Sequence, residues 1–207
     1  MEFLEFKAEG IEAGVWPEVS AFPLPVLIPC QTHTCNVGIV RRESDIGVFP
    51  ETDALVSFCP GLRIGVRTAD CVPVLLYAPD IRAVAAVHAG WKGSFGGILS
   101  DTLDILCAGG ADPERILAAF GPSICGECYE VSPKLADRFR DAGFGPCISA
   151  ERNIDLQEVN VTRLLRAGVP ERNITRSRFC TFSTPGLPSW RRDNGTAARL
   201  LTFIRLV

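Results

Sequence analysis

Two histidines occur in the 207 residues, and each stands in a short segment suited to chemistry: Gln31-Thr32-His33-Thr34 and His88-Ala89-Gly90-Trp91-Lys92-Gly93. Between them, Thr68-Ala69-Asp70-Cys71 adds a soft ligand 17 residues before His88. Two imidazole nitrogens and a thiolate can hold one zinc ion and leave the fourth tetrahedral position to water or substrate. That is the pattern of a catalytic site, because structural zinc sites close all four positions. A lone histidine among apolar residues is more often packed than ligating. Here both lie where an extended apolar segment gives way to a turn, and loops on a rigid scaffold are where function concentrates. His33, Cys71 and His88 are therefore the expected metal and catalytic set.

The turn after His88 carries a second suggestion. A strand running into Gly90-Trp91-Lys92-Gly93-Ser94 and then a helix aims free backbone N–H groups at the turn, and Lys92 adds positive charge, so phosphate is favoured there. The full phosphate-loop pattern is absent, and a tight turn needing small residues explains the same glycines. Asp70, beside Cys71, is a candidate substrate contact and proton carrier, although strand alternation would direct it to the opposite face from Cys71. Cys125-Gly126-Glu127-Cys128 has zinc-knuckle spacing, but no second pair stands at a matching distance. Cys147 and Cys180 are isolated in sequence, so a structural role without metal is expected for the pair.

These residues need elements to hold them. Short β-rich runs at 26–28, 37–40, 54–58 and 62–66 precede two nearly continuous apolar runs at 72–77 and 83–88, which predict strands buried on both faces. After the glycine turn, Ile98, Leu99, Leu103, Ile105 and Leu106 recur at helical spacing until Gly109-Gly110. Residues 116–120 read as a strand. Ser132-Pro133 opens a helix through a capping serine and an N1 proline, and 157–167 reads as another. Residues 197–207 fit helix or strand equally. Strands first and helices later favour α+β over regular βαβ alternation.

Composition narrows the class. Forty-seven per cent hydrophobic residues suffice for a substantial core. A net charge of −3 with scattered basic residues argues against nucleic acid. No run approaches the roughly 20 apolar residues of a membrane span, and Met1-Glu2-Phe3-Leu4-Glu5-Phe6 lacks the basic flank and apolar core of a signal peptide. Nine cysteines, an odd number, fit a reducing compartment better than a disulfide framework. A cytoplasmic protein with reduced thiols is expected.

The segments Thr52-Asp53-Ala54-Leu55-Val56, Thr68-Ala69-Asp70-Cys71-Val72-Pro73-Val74-Leu75, His88-Ala89-Gly90-Trp91-Lys92-Gly93, Gly121-Pro122-Ser123-Ile124 and Cys128-Tyr129-Glu130-Val131 resemble, in order, the YfiH or laccase-domain family. Ile154-Asp155-Leu156, Cys180-Thr181 and Arg191-Arg192-Asp193 resemble its C-terminal pattern. The resemblance runs from about residue 31 to the end. It implies one domain over residues 1–207, an α+β four-layer α/β/β/α sandwich with two packed mixed sheets flanked by helices. It also implies zinc-dependent chemistry on purine nucleosides: phosphorolysis of adenosine, inosine and methylthioadenosine with inorganic phosphate, and deamination of adenosine. His33, Cys71 and His88 match the family's three metal positions. Where the family has glycine after the first histidine, this chain has Thr34, whose side chain is expected to narrow the pocket or alter the approach to the metal.

Zinc chemistry accommodates both reactions, since a bound water of lowered pKa suits attack on C6 of adenosine and Lys92 suits phosphate. Three rivals stand beside this reading. A multicopper polyphenol oxidase needs many more histidines than two, although copper can occupy a mononuclear His–Cys–His site on purification. A hydrolase editing cell-wall precursors would use Cys71 as nucleophile and a histidine as base. A pure binding module is the third.

Overall fold

The computed structural model describes residues 3–150 and 152–207. Met1 and Glu2, the start of the acidic N-terminal segment, and Glu151 lie outside the described residues. The strands are β1 (Ile11–Trp16), β2 (Val37–Val40), β3 (Ala54–Ser57), β4 (Ile64–Thr68), β5 (Val72–Ala78), β6 (Ala83–Ala89), β7 (Leu117–Phe120), β8 (Ile148–Ser149), β9 (Asn153–Ile154), β10 (Ile174–Thr175) and β11 (Leu200–Leu206). The α-helices are α1 (Trp91–Gly96), α2 (Ile98–Ala108), α3 (Pro133–Phe139) and α4 (Leu156–Arg166).

A six-stranded mixed sheet has the order β10-β7-β5-β6-β3-β2, with parallel pairs at both edges and antiparallel pairs inside. A three-stranded antiparallel sheet, β1-β11-β4, packs against it. Every residue of β5 and β6 is buried, as two unbroken apolar runs require when both faces are covered. Val72, Val74, Leu76, Ala85 and Val87 face a core shared with the helices. Leu75, Tyr77, Val84 and Ala86 face the second core, with Ile64, Val66, Ile204 and Leu206 of the smaller sheet. The chain is thus α+β with two packed sheets. The outer layers are unequal. The helices cover the larger sheet, whereas Phe22, beside the short 3-10 turn Val19–Ala21, packs on Phe203 of the smaller sheet at 4.9 Å between ring centroids.

Local expectations hold where the sequence signal was strong. Ser132 caps α3 by accepting from the Leu135 N–H, as expected, and the helix read over 157–167 forms as α4, with Asp155, not singled out in the sequence, capping it through the Glu158 N–H. The glycine turn departs from expectation because it is itself helical. Gly97 adopts φ +102 and breaks one helical run into α1 and α2, a left-handed conformation that glycine takes without penalty. Residues 26–28 make only a bridge from Leu27 to Ile64. The ambiguous segment at 197–207 becomes β11, the central strand of the smaller sheet. Among the described residues, no helix is long and apolar enough to cross a membrane.

Candidate metal centre

Strand order explains how residues far apart in sequence meet. β3 and β5 flank β6, and both run antiparallel to it. Asp53 immediately precedes β3, Cys71 immediately precedes β5, and His88 lies near the end of β6. All three therefore gather at one end of adjacent strands. Alternation gives them the parity of Leu55, Leu75 and Ala86, the side facing the smaller sheet.

His33, Cys71 and His88 offer ligand atoms within 4.8 Å of one another. Cys71 Sγ is 3.8 Å from His33 Nε2, and the two imidazole rings meet edge to face at 4.9 Å. His88 is buried and His33 exposed, so the set has a protected side and an open side. A Cβ added at Gly90 would fall 2.9 Å from Cys71 Sγ and 3.0 Å from His33 Cδ2. The space beside the ligands thus exists because residue 90 has no side chain. A soft thiolate with two imidazoles, at these separations, fits a metal ion of the borderline class.

Asp53 organises the set. Its Oδ1 lies 2.7 Å from His88 Nδ1, and because a carboxylate only accepts, Nδ1 carries the proton and Nε2 is left for a metal. The same carboxylate accepts the N–H groups of Thr32, His33 and Thr34 at 3.1, 3.0 and 2.7 Å. These bonds hold His33 at φ +63, an uncommon conformation for a non-glycine residue. Burial opposes ionisation of Asp53, yet His88 and the loop N–H groups hold it well below the usual carboxylate range. Burial likewise disfavours charge on His88, but the Cys71 thiolate and Asp53 outweigh it and raise His88 to about 9. For Cys71, burial is overcome by the His88 charge and a hydrogen bond from His33, which bring the thiol down to about 6.

Thr34 departs from expectation. Its hydroxyl lies 2.9 Å from Asp53 Oδ2 and 2.8 Å from the Glu51 carbonyl, and the residue does not line the cavity. The added side chain joins the scaffold behind His33 and His88 and does not narrow the pocket.

His33, Cys71 and His88 form one wall of a cavity of about 670 Å³ lined also by Gln31, Arg67, Asp70, Trp91, Tyr129, Trp190, Arg191 and Arg199. Arg191 lies over the Tyr129 ring and Arg199 over Trp190, each 5.2 Å from the centroid. Burial pushes Tyr129 up to about 12. Gln31 clamps the backbone of residue 67, its amide accepting the Arg67 N–H and donating to the Arg67 carbonyl, both at 2.8 Å. Among the described residues, the Arg67 guanidinium has no hydrogen-bond partner. Asp70 reaches the cavity, but not by strand alternation: it sits outside β5 at φ +82. Its carboxylate accepts the Thr181 hydroxyl at 2.6 Å and the Arg191 N–H at 2.7 Å, so both oxygens hold neighbouring loops. Lys92 is exposed, its ammonium 5.8 Å from the Trp91 ring centre, and it is absent from the cavity lining.

Sequence reasoning missed Asp53 as a partner of His88 and missed the arginine and aromatic walls, which come from segments between residues 67 and 199. It also left Cys180 isolated. In the structure Cys180 joins Cys125 and Cys128, with all three sulfurs within 4.8 Å of one another.

A family model described as multi-copper polyphenol oxidoreductase laccase matches residues 18–207. Adenosine deaminase RL5, from an unknown prokaryotic organism, is 39% identical over 170 residues, covering 75% of this chain and 65% of that protein. A purine nucleoside phosphorylase of Deinococcus radiodurans is 41% identical over 161 residues, covering 76% and 62%. The chain thus spans somewhat under two thirds of the length of these curated relatives. The crystal structure of YlmD from Geobacillus stearothermophilus superposes with a TM-score of 0.82 at 25% identity, covering 100% of this chain and 99% of that one. That of YfiH from Bacillus licheniformis gives 0.82 at 31% identity, covering 88% and 74%.

Proposed function

Because the chain belongs to the multi-copper polyphenol oxidoreductase laccase family and is similar to YfiH and YlmD, we propose that it is a zinc-dependent purine nucleoside phosphorylase with adenosine deaminase activity, one domain over residues 1–207. The observation that carries the reading is the His33–Cys71–His88 set, braced by Asp53, in the wall of a cavity that also holds aromatic rings and arginines. The names of the relatives from Deinococcus radiodurans and of RL5 support the two activities. The odd number of cysteines, nine, supports a reducing, cytoplasmic setting.

The parts divide as follows. Held by the three side chains, zinc would supply Lewis-acid activation of a water or a substrate oxygen. Trp91, Tyr129 and Trp190 offer flat apolar surface for a purine. Arg67 has an uncommitted guanidinium suited to a phosphate, and it takes the role first expected of Lys92. Asp70 fixes the Thr181 and Arg191 segments that close the cavity.

One rival gains a specific observation: a Cys71 thiol at about 6 beside His88 also suits a nucleophile. A multicopper oxidase does not gain one, since two histidines cannot furnish its additional coppers. Copper(II) would nonetheless compete for the same donors. The test supplies adenosine to zinc-loaded protein with and without inorganic phosphate. Adenine and ribose 1-phosphate are expected with phosphate, and inosine without it. Zinc-loaded protein that forms neither product would overturn the proposal.

A further inference from the structure

We propose that Cys125, Cys128 and Cys180 form a second metal site, distinct from the histidine-containing one, that takes a thiophilic divalent ion of the zinc type on three sulfurs. The three Sγ atoms lie within 4.8 Å of one another. Tetrahedral zinc, with bonds to sulfur of about 2.3 Å, needs its sulfurs about 3.8 Å apart, so small side-chain adjustments close the set on one ion.

The backbone is arranged for this. The Cys125-Gly126-Glu127-Cys128 segment is a turn in which the Cys128 and Tyr129 N–H groups both donate to the Cys125 carbonyl at 3.0 Å. That turn puts two sulfurs on one side. The third arrives from 52 residues further along the chain, where Ser123 and Cys180 form a β-bridge. The Cys125 N–H donates to Cys180 Sγ at 3.3 Å, a contact that favours a thiolate acceptor. A disulfide would use two of the sulfurs and strand the third, whereas one ion satisfies all three. Cys125 and Cys128 are partly exposed, which leaves the fourth position to water.

The placement gives the site a consequence. Tyr129, next to Cys128, lines the catalytic cavity. Thr181, next to Cys180, hydrogen-bonds Asp70, which lines the same cavity. An ion on the three sulfurs would tie both segments together behind the cavity wall.

Cobalt(II) reports sulfur ligation directly, and Cys71→Ser removes the only sulfur of the histidine-containing site. Reduced, metal-free full-length protein carrying Cys71→Ser should take up one cobalt with a thiolate-to-cobalt charge-transfer band, and zinc should displace it. Adding Cys180→Ser should weaken that binding at least tenfold or abolish it. Because Cys180 is buried, Cys128→Ser, at a partly exposed position, provides a second variant whose folding is checked by circular dichroism. It should lower the band by about a third or more. Absence of the band in the Cys71→Ser protein, or a band unchanged in a folded cysteine-cluster variant, would overturn the proposal. A disulfide within the cluster that forms despite saturating zinc would overturn it too. Since activity is not the readout, failure here leaves the nucleoside reading standing, and failure of that reading leaves this one standing.

Discussion

Asp53 is fully buried and has no contact with the cavity, yet both histidine segments depend on it. Replacing it with asparagine turns an amide NH₂ toward N–H donors or toward His88, leaving at least one buried donor without an acceptor. Such an orphan costs about 1–3 kcal/mol, and loss of a ligand's supporting carboxylate costs roughly 10–100-fold in metal affinity. Asp53→Asn should therefore melt earlier and bind zinc at least tenfold more weakly, as read by thermal unfolding and chelator competition. The same residue sets a pH signature in metal-free protein. Cys71 ionises near 6 instead of 9, so its alkylation rate should rise with pH to half its plateau near 6. Removing the Asp53 charge makes the His88 imidazolium less favourable, which raises the Cys71 value and slows alkylation at pH 7. An alkylation midpoint near 9 in the unsubstituted protein would contradict the electrostatic account. For phosphate, Arg67→Ala should raise the phosphate KM by roughly tenfold or more, the worth of a charge-assisted hydrogen bond, while sparing deamination. Lys92→Ala should leave both reactions nearly unchanged. The reverse ranking would return the phosphate to the glycine turn.

At the scale of elements, the piece that holds His88 in place is α4 acting on α1. Arg163 of α4 donates to the Ser94 and Phe95 carbonyls at 2.8 and 2.7 Å, near the end of α1 where carbonyls lack intrahelical partners. Asn160 donates to Ser94 Oγ at 2.8 Å, and that hydroxyl donates to the Ala89 carbonyl at 3.1 Å. The chain of bonds runs from α4 through α1 to the last residue of β6, next to His88. Arg163→Ala leaves two carbonyls without their charged donor and should cost about 2–4 kcal/mol in urea unfolding. It should also weaken zinc binding, although Arg163 lies outside the cavity lining. A loss of stability with unaltered zinc affinity would show that the helix pair supports the fold without positioning the ligand.

Across the whole molecule, the smaller sheet closes the second core and brings Arg67 and Thr68, at the end of β4, to the cavity. β11 pairs with both β1 and β4, and Ile204 and Leu206 are buried against Leu75 and Ala86 of the larger sheet. Removing residues 200–207 would separate β1 from β4 and bare that core, while the helix-covered core remains. Burying a large aliphatic side chain contributes about 1.5–3 kcal/mol, and several are lost together. The shortened chain should fail to give a cooperative melt and should aggregate. A cooperative transition near that of the full chain would mean the larger sheet and its helices fold independently.

What could be read from the chain alone is what is local or compositional. The two unbroken apolar runs identified β5 and β6, because a strand covered on both faces needs apolar residues at every position. The capping Ser132 with Pro133 located α3, and the scarcity of histidine singled out His33 and His88 together with Cys71. Periodicity could not decide residues 197–207, since an apolar run of that length suits either a helix or a strand until a partner strand is present. Only the tertiary structure put Asp53 behind His88, 35 residues away in sequence, because the pairing of β3 with β6 sets that distance and no motif spacing encodes it. The same holds for Cys180, which stands alone in the chain and beside Cys125 and Cys128 in the fold. Lys92 shows the converse: sequence adjacency to a ligand suggested a role, but α1 begins at Trp91 and leaves the lysine exposed. Residue types limit what chemistry is possible, and strand order decides which of those residues share a site.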